Sequence, residues 1–126
     1  MRFPIMPLAF CAIFTSPSLT ALADTPKERD IRCSAYYTVI TVSGDQPDIS
    51  RRQSGQASYA LLLRAGYNPE NQEAVAQRMV DLSSETPGPI TPASTAKLRD
   101  KYDAECRALL KTAWCEAYKD PGACNP

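Results

Sequence analysis

The chain has 126 residues, with 14 Lys and Arg balanced by 14 Asp and Glu, and no histidine. Without a basic surplus it has little means of neutralising a phosphate backbone, which argues against nucleic-acid binding. Without histidine, Ser-His-Asp and Cys-His catalysis, imidazole metal sites and histidine-based pH switching are all excluded.

Taken in chain order, the sequence opens as a secretion leader. Met1-Arg2 is a short positive segment, residues 3–14 are an apolar run, and residues 15–23 are small and polar. Ala21-Leu22-Ala23 before Asp24 forms an A-x-A cleavage pattern, because the peptidase pocket admits only small side chains at those two positions. The run is too short to span a bilayer and is interrupted by Pro4 and Pro7. A lipoprotein reading at Cys11 is disfavoured by bulky Phe10 before it and apolar sequence after it. The expectation is a leader over 1–23, cleavage between Ala23 and Asp24, and a secreted or periplasmic single small helical domain over 24–126 with no membrane segment. Arg2, Cys11 and all three Phe residues leave with the leader. The mature chain is then slightly acidic, holds four cysteines, and draws its aromatics from six tyrosines and Trp114.

Thr25-Pro26-Lys27-Glu28 starts a first helix: Thr25 caps, Pro26 takes the first helical position and Glu28 completes a capping box. Cys33, Tyr36, Tyr37 and Ile40 follow at i, i+3, i+4, i+7, and Gly44 ends the element. Tyr36–Val42 is also rich in aromatic and β-branched residues, so a strand competes there. Helix is favoured by the cap and by the lack of a partner strand. After a turn at residues 45–49, Ser50 and Gln53 form a second capping box, opening a helix that ends at Gly66. Gly55 weakens it, and Leu61-Leu62-Leu63 suggests burial on more than one side. Asn68-Pro69 opens a third helix with a thin stripe of Val75, Met79, Val80 and Leu82, fading at Ser83-Ser84. Residues 85–92, with three prolines and Gly88, are a connector. Thr91-Pro92 starts the last and longest helix, to about Tyr118. Its stripe is Leu98, Tyr102, Cys106, Leu109, Ala113 and Ala117, with Leu110 and Trp114 beside it. Arg99, Asp103 and Arg107, and Lys101 with Glu105, are expected as ion pairs on the opposite side.

Four cysteines in a small exported chain read as two disulfides. Cys106 and Cys115 are nine residues apart on one helix, about 13 Å along its axis and on opposite sides, whereas a disulfide needs Cα atoms within about 7 Å. That rules out Cys106–Cys115 and, with it, Cys33–Cys124. Core-facing Cys106 should meet Cys33, and outward-facing Cys115 should meet the returning tail at Cys124. The other pairing, Cys33–Cys115 with Cys106–Cys124, would force the short tail back along three helical turns, so it is the less favoured. The preferred set is Cys33–Cys106 and Cys115–Cys124. In the chain-entropy model the long cross-link is worth about 4 kcal/mol and the short one about 2.5 kcal/mol. The fold class is all-α, a compact four-helix bundle stapled by two disulfides.

No motif assigns a reaction. No Gly-rich phosphate loop is present, no cofactor is implied, and the cysteines lack metal-site spacing. Carboxylate chemistry needs no histidine, so Glu70 with Glu73, and Asp100, Asp103 and Glu105, remain candidates. Their positions on helices favour dipole-complementing or solvated roles instead. Ser94 or Thr95 with Lys97 is a weaker candidate dyad. Tyr36, Tyr37, Tyr59 and Tyr102 are expected in or beside the core, with Tyr67 and Tyr118 more exposed. Arg51-Arg52 reads as a solvated helix start, and the proline-rich loop at residues 86–92 as a possible recognition element. Export, cross-linking and near-neutral charge favour action by protein binding, as an inhibitor, immunity factor or accessory subunit, rather than as an enzyme. A carboxylate-dependent hydrolase and an acid-stress chaperone are the alternatives.

Overall fold

In the computed structural model, residues 24–124 are described, without the side chains of residues 123 and 124. The leader expected over residues 1–23, the Ala23 side of the expected cleavage site and the Cys124 side chain therefore lie outside the described residues. Every described element is helical: α1 Pro26–Ser43, α2 Arg51–Ala65, α3 Pro69–Ser84, α4 Ala96–Tyr118, and a single helical turn, α5, Pro121–Cys124.

The caps set the helix ends. Thr25 and Glu28 make both bonds of a capping box, as do Ser50 and Gln53, and the Asn68 side chain accepts from the Asn71 N–H. Gly44 and Gly66 stop α1 and α2 with φ of 97° and 115°, angles that residues with a Cβ rarely adopt. The ambiguous stretch from Tyr36 to Val42 is helix.

α1 is the central element, packing against α2, α3 and α4. Five consecutive residues, Cys33, Ser34, Ala35, Tyr36 and Tyr37, are buried. Five successive positions cover the whole circumference of a helix, so α1 is enclosed on every side at this level. The α1–α2 contact is made of small and hydroxylic residues. Ser34 Oγ donates to the Ser58 carbonyl at 2.9 Å, Ser58 Oγ donates back to the Ser34 carbonyl at 2.9 Å, and Thr41 Oγ1 donates to Ser54 Oγ at 3.0 Å. Thr38 joins through a 2.7 Å contact with Ser58 Oγ.

The Cys33–Cys106 disulfide joins α1 to α4 across 73 residues, with Cα atoms 5.2 Å apart and both cysteines fully buried. One residue earlier on each helix, Arg32 Nη2 donates to Glu105 Oε1 at 2.7 Å, and Arg32 also pairs with Asp24. At the other end of α2, Arg64 grips buried Asp30 through both carboxylate oxygens, at 2.9 and 2.5 Å.

Several expectations are corrected. α4 begins at Ala96 rather than at Pro92. Thr91 instead caps a separate turn with Ser94, and the Thr95 hydroxyl bonds the carbonyls of Thr91 and Pro92, so it does not cap α4. Tyr59 is exposed rather than core, because buried Ala57 and Leu61 each lie two residues away, on the opposite side of the helix. Of the three consecutive leucines, Leu61 is buried, Leu62 half-buried and Leu63 exposed by the same geometry. Lys101 pairs with Glu85, leaving Glu105 to Arg32. The expected Cys115–Cys124 bond is not among these corrections, because the Cys124 side chain lies outside the described residues. Cys115 has an interaction of its own.

Candidate interaction faces

Three surfaces carry the residues that sequence singled out. The first is the seam between α4 and the α1–α2 loop. Here Arg99, Asp103 and Arg107, spaced by fours on α4, turn toward the rest of the protein instead of away from it. Tyr36 Oη donates to Asp103 Oδ1 at 2.8 Å, and Arg107 Nε donates to Asp103 Oδ2 at 2.6 Å. Arg99 Nη2 lies 2.6 Å from Asp48 Oδ2, and Arg107 also pairs with Asp48. Gln46 closes the network: its Nε2 donates to Ser43 Oγ at 2.9 Å and Thr95 Oγ1 at 3.3 Å, and its Oε1 accepts from Arg99 Nη1 at 3.3 Å.

The electrostatics follow from that geometry. The Arg99 hydrogen bond holds the Asp48 carboxyl at about 2, below the usual carboxylate range. Burial pushes the Tyr36 phenol up, and its bond to anionic Asp103 pushes in the same direction. Tyr37 is also pushed up, first by burial and then by the Asp103 charge. Its hydroxyl is buried without a hydrogen-bond partner among the described residues. Beside the seam lies an open depression of about 440 Å³ between Pro47, Pro92 and Ala96, with Gln46, Arg99, Asp100 and Asp103 around it. Of these polar side chains, Gln46, Arg99 and Asp103 already hold bonds within the protein, so the seam works as a clasp.

The candidate catalytic acids do not converge. Glu70 and Glu73 are exposed on α3, Asp100 and Glu105 are exposed on α4, and Asp103 is held by Tyr36 and Arg107. The Ser94 hydroxyl serves the Thr91 turn and donates to the Pro89 carbonyl at 2.8 Å, and Lys97 is exposed. Arg51 and Arg52 are exposed at the start of α2. Among the described residues there is no group of three or more side chains able to hold a metal ion, and no helix long and apolar enough to cross a membrane.

Of the second surface, the sequence anticipated only the exposure of Tyr67. Tyr59, Leu63 and Tyr67 are 46%, 37% and 58% exposed. The two tyrosine rings meet edge to face, 5.8 Å between centroids. Half-buried Tyr118 packs at a tilt against Trp114, 4.5 Å between centroids, and its hydroxyl donates to the Gln56 carbonyl at 2.8 Å, one turn before Tyr59. Burial pushes the Tyr118 phenol up, with a smaller push from the neighbouring Tyr59. Alternation around α2 forces Tyr59 and Leu63 outward, Tyr67 joins them from the connector after α2, and a count of apolar residues along the chain cannot distinguish Tyr59 and Leu63 from core.

The third surface is the loop at residues 85–92. Thr86 is buried and Ile90 packs on the core, whereas Pro87, Gly88 and Pro89 between them are exposed. Comparison with protein-family models, with characterised proteins and with solved structures returns no match for this chain.

Proposed function

We propose that this chain is exported and acts by binding another protein, as an inhibitor, immunity factor or accessory subunit. The observation that carries the reading is the Tyr59–Leu63–Tyr67 face. Tyrosine offers a large, stiff, amphipathic contact surface, and neighbouring exposed apolar groups, here Tyr59 and Leu63 on α2 with Tyr67 in the connector after it, are a feature of interaction sites. The leader pattern and the buried Cys33–Cys106 bond fit an oxidising compartment. A second bond, Cys115–Cys124, pins the tail in this proposal, and residues 24–126 act as one unit.

The alternatives draw less support. A hydrolase needs two acids facing one reacting bond, and the candidates are spread over two helices. An acid-triggered chaperone needs a clasp that opens in mild acid, yet Asp48 stays charged down to a pH of about 2. The test is affinity capture from the native extracytoplasmic fraction with the oxidised mature protein, run beside Tyr59→Ser/Tyr67→Ser. Retention of one specific protein by the wild type, lost in the double variant, is expected. Identical retention by both, or none by either, overturns the assignment to this face.

A further inference from the structure

We propose that residues 86–90 form a preorganised recognition loop whose partner is a protein surface with aromatic rings to stack on Pro87 and Pro89 and N–H donors for the free loop carbonyls. The inference rests on the protein-binding reading and adds to it the chemistry of the partner.

Both ends of the loop are fixed. At the α3 end, the Thr86 N–H donates to the Ser83 carbonyl at 3.0 Å, and the Glu85 carboxylate accepts from Tyr102 Oη and Lys101 Nζ, each at 3.2 Å. At the α4 end, Ser94 Oγ accepts from the Thr91 N–H at 2.8 Å and donates to the Pro89 carbonyl at 2.8 Å. Between these anchors the chain presents only Pro87, Gly88 and Pro89, with no charge and no polar side chain.

The tip is stiff for a covalent reason. Each proline ring fixes its own φ. Gly88 has φ of 80°, a left-handed angle that glycine adopts without a Cβ clash. The residue three after Thr86 is Pro89, which has no N–H to close a four-residue turn onto the Thr86 carbonyl. Among the described residues the carbonyls of Thr86, Pro87 and Gly88 accept no bond from the chain. A Cβ placed on Gly88 would meet nothing within 4 Å, so the tip stands clear of the protein.

A rigid, uncharged tip with two exposed proline rings and open carbonyls loses little freedom on binding. With Gly88 at φ 80° the tip is bent and is not a polyproline helix, so it would meet a partner as a point: an aromatic ring can pack on each exposed proline ring, and N–H donors can bond the adjacent open carbonyls. No charge on the tip would steer an anionic or cationic partner, so stacking and backbone bonding are the interactions it offers.

The test uses the oxidised mature protein, isotope-labelled, titrated with N-acetyl-tryptophanamide. A saturable shift of the Gly88 and Ile90 amides is expected. It should vanish in Pro87→Ala/Pro89→Ala and persist in Tyr59→Ser/Tyr67→Ser. Both prolines are exposed, so the loop variant should stay folded, with only a modestly lower thermal midpoint from the greater freedom of its unfolded chain. A silent Gly88 amide, or a response that survives replacement of both prolines, overturns the loop assignment. The capture experiment separates the two levels. A partner held equally by wild type and loop variant sinks the loop assignment and leaves protein binding standing, whereas no partner for either sinks both.

Discussion

Tyr36 and Tyr37 are adjacent, both buried, and packed edge to face at 5.0 Å, yet their hydroxyls have opposite circumstances. Tyr36 donates to Asp103, and the Tyr37 hydroxyl has no hydrogen-bond partner among the described residues. A hydrogen bond to a charged acceptor is worth about 1.5–3 kcal/mol, and removal of an unpaired buried polar group is close to neutral or stabilising. Tyr36→Phe should therefore lower stability by about 1–2 kcal/mol, and Tyr37→Phe should leave it unchanged or raise it, as read by urea unfolding. Equal losses in the two variants would mean that the Tyr37 hydroxyl has found a partner. Asp48 gives a pH signature at the same scale. Its carboxyl titrates at about 2 in the folded chain and near 3.8 when unperturbed, so the folded state holds this proton less tightly than the unfolded state. The stability it contributes is complete above about pH 4 and fades as pH falls toward 2. Asp48 is partly exposed, so the effect is small. Asp48→Asn should be less stable than wild type at neutral pH, and the two unfolding curves should converge near pH 2.

At the scale of the helix, the capped ends of α1, α2 and α3 were legible, whereas the start of α4 and the contacts were not. Thr25 with Glu28, Ser50 with Gln53, Asn68-Pro69, Gly44 and Gly66 are local chemistry, and local chemistry is written in order along the chain. The α1–α2 contact is written in Ser34, Thr38, Thr41, Ser54 and Ser58, residue types that ordinarily suggest a solvated face, so its closeness is hidden from a hydropathy reading. Arg99, Asp103 and Arg107 have the spacing of a surface ion-pair ladder. Only the fold brings Tyr36 and Asp48 to them, from more than fifty residues away. The proline loop was visible as composition, and the exposure of Tyr59 and Leu63 was not, because it depends on which side of α2 meets α1. Gly55 shows how the structure sharpens such a reading. It lies in α2 against Thr41, and a Cβ there would sit 3.8 Å from the Thr41 side chain, an ordinary contact. Gly55→Ala should therefore stabilise the protein by up to about 1 kcal/mol through helix propensity, measured as a rise in the urea midpoint, and a fall would show that α1 and α2 approach too closely for a methyl group. Arg64→Ala is the opposite case, since it strands the buried Asp30 carboxylate. A loss of about 3 kcal/mol at neutral pH is expected.

At the scale of the whole molecule, the question is what keeps α4 on the rest of the bundle. α4 packs on α2 and α1, and its buried residues are few: Leu98, Cys106 and Ala113. The charged clasp at Asp48 and the Arg32–Glu105 pair are partly exposed, and partly exposed ion pairs contribute little. The Cys33–Cys106 bond is different in kind, because it acts on the unfolded chain. Closing a loop of 73 residues removes enough unfolded-state entropy to be worth about 4 kcal/mol, against a total of about 5–15 kcal/mol for a typical domain. Cys33→Ala/Cys106→Ala should accordingly keep its helical content in dilute buffer but lose about 3–5 kcal/mol in urea unfolding. A second quantity in the same experiment tests the mechanism. An uncross-linked unfolded chain exposes more surface, so the dependence of stability on urea concentration should steepen in the variant. A loss of stability at unchanged slope would place the contribution in the folded state, in the packing around two fully buried sulfur atoms. A loss below about 1 kcal/mol would mean that α4 is held by its packing and that the cross-link is incidental.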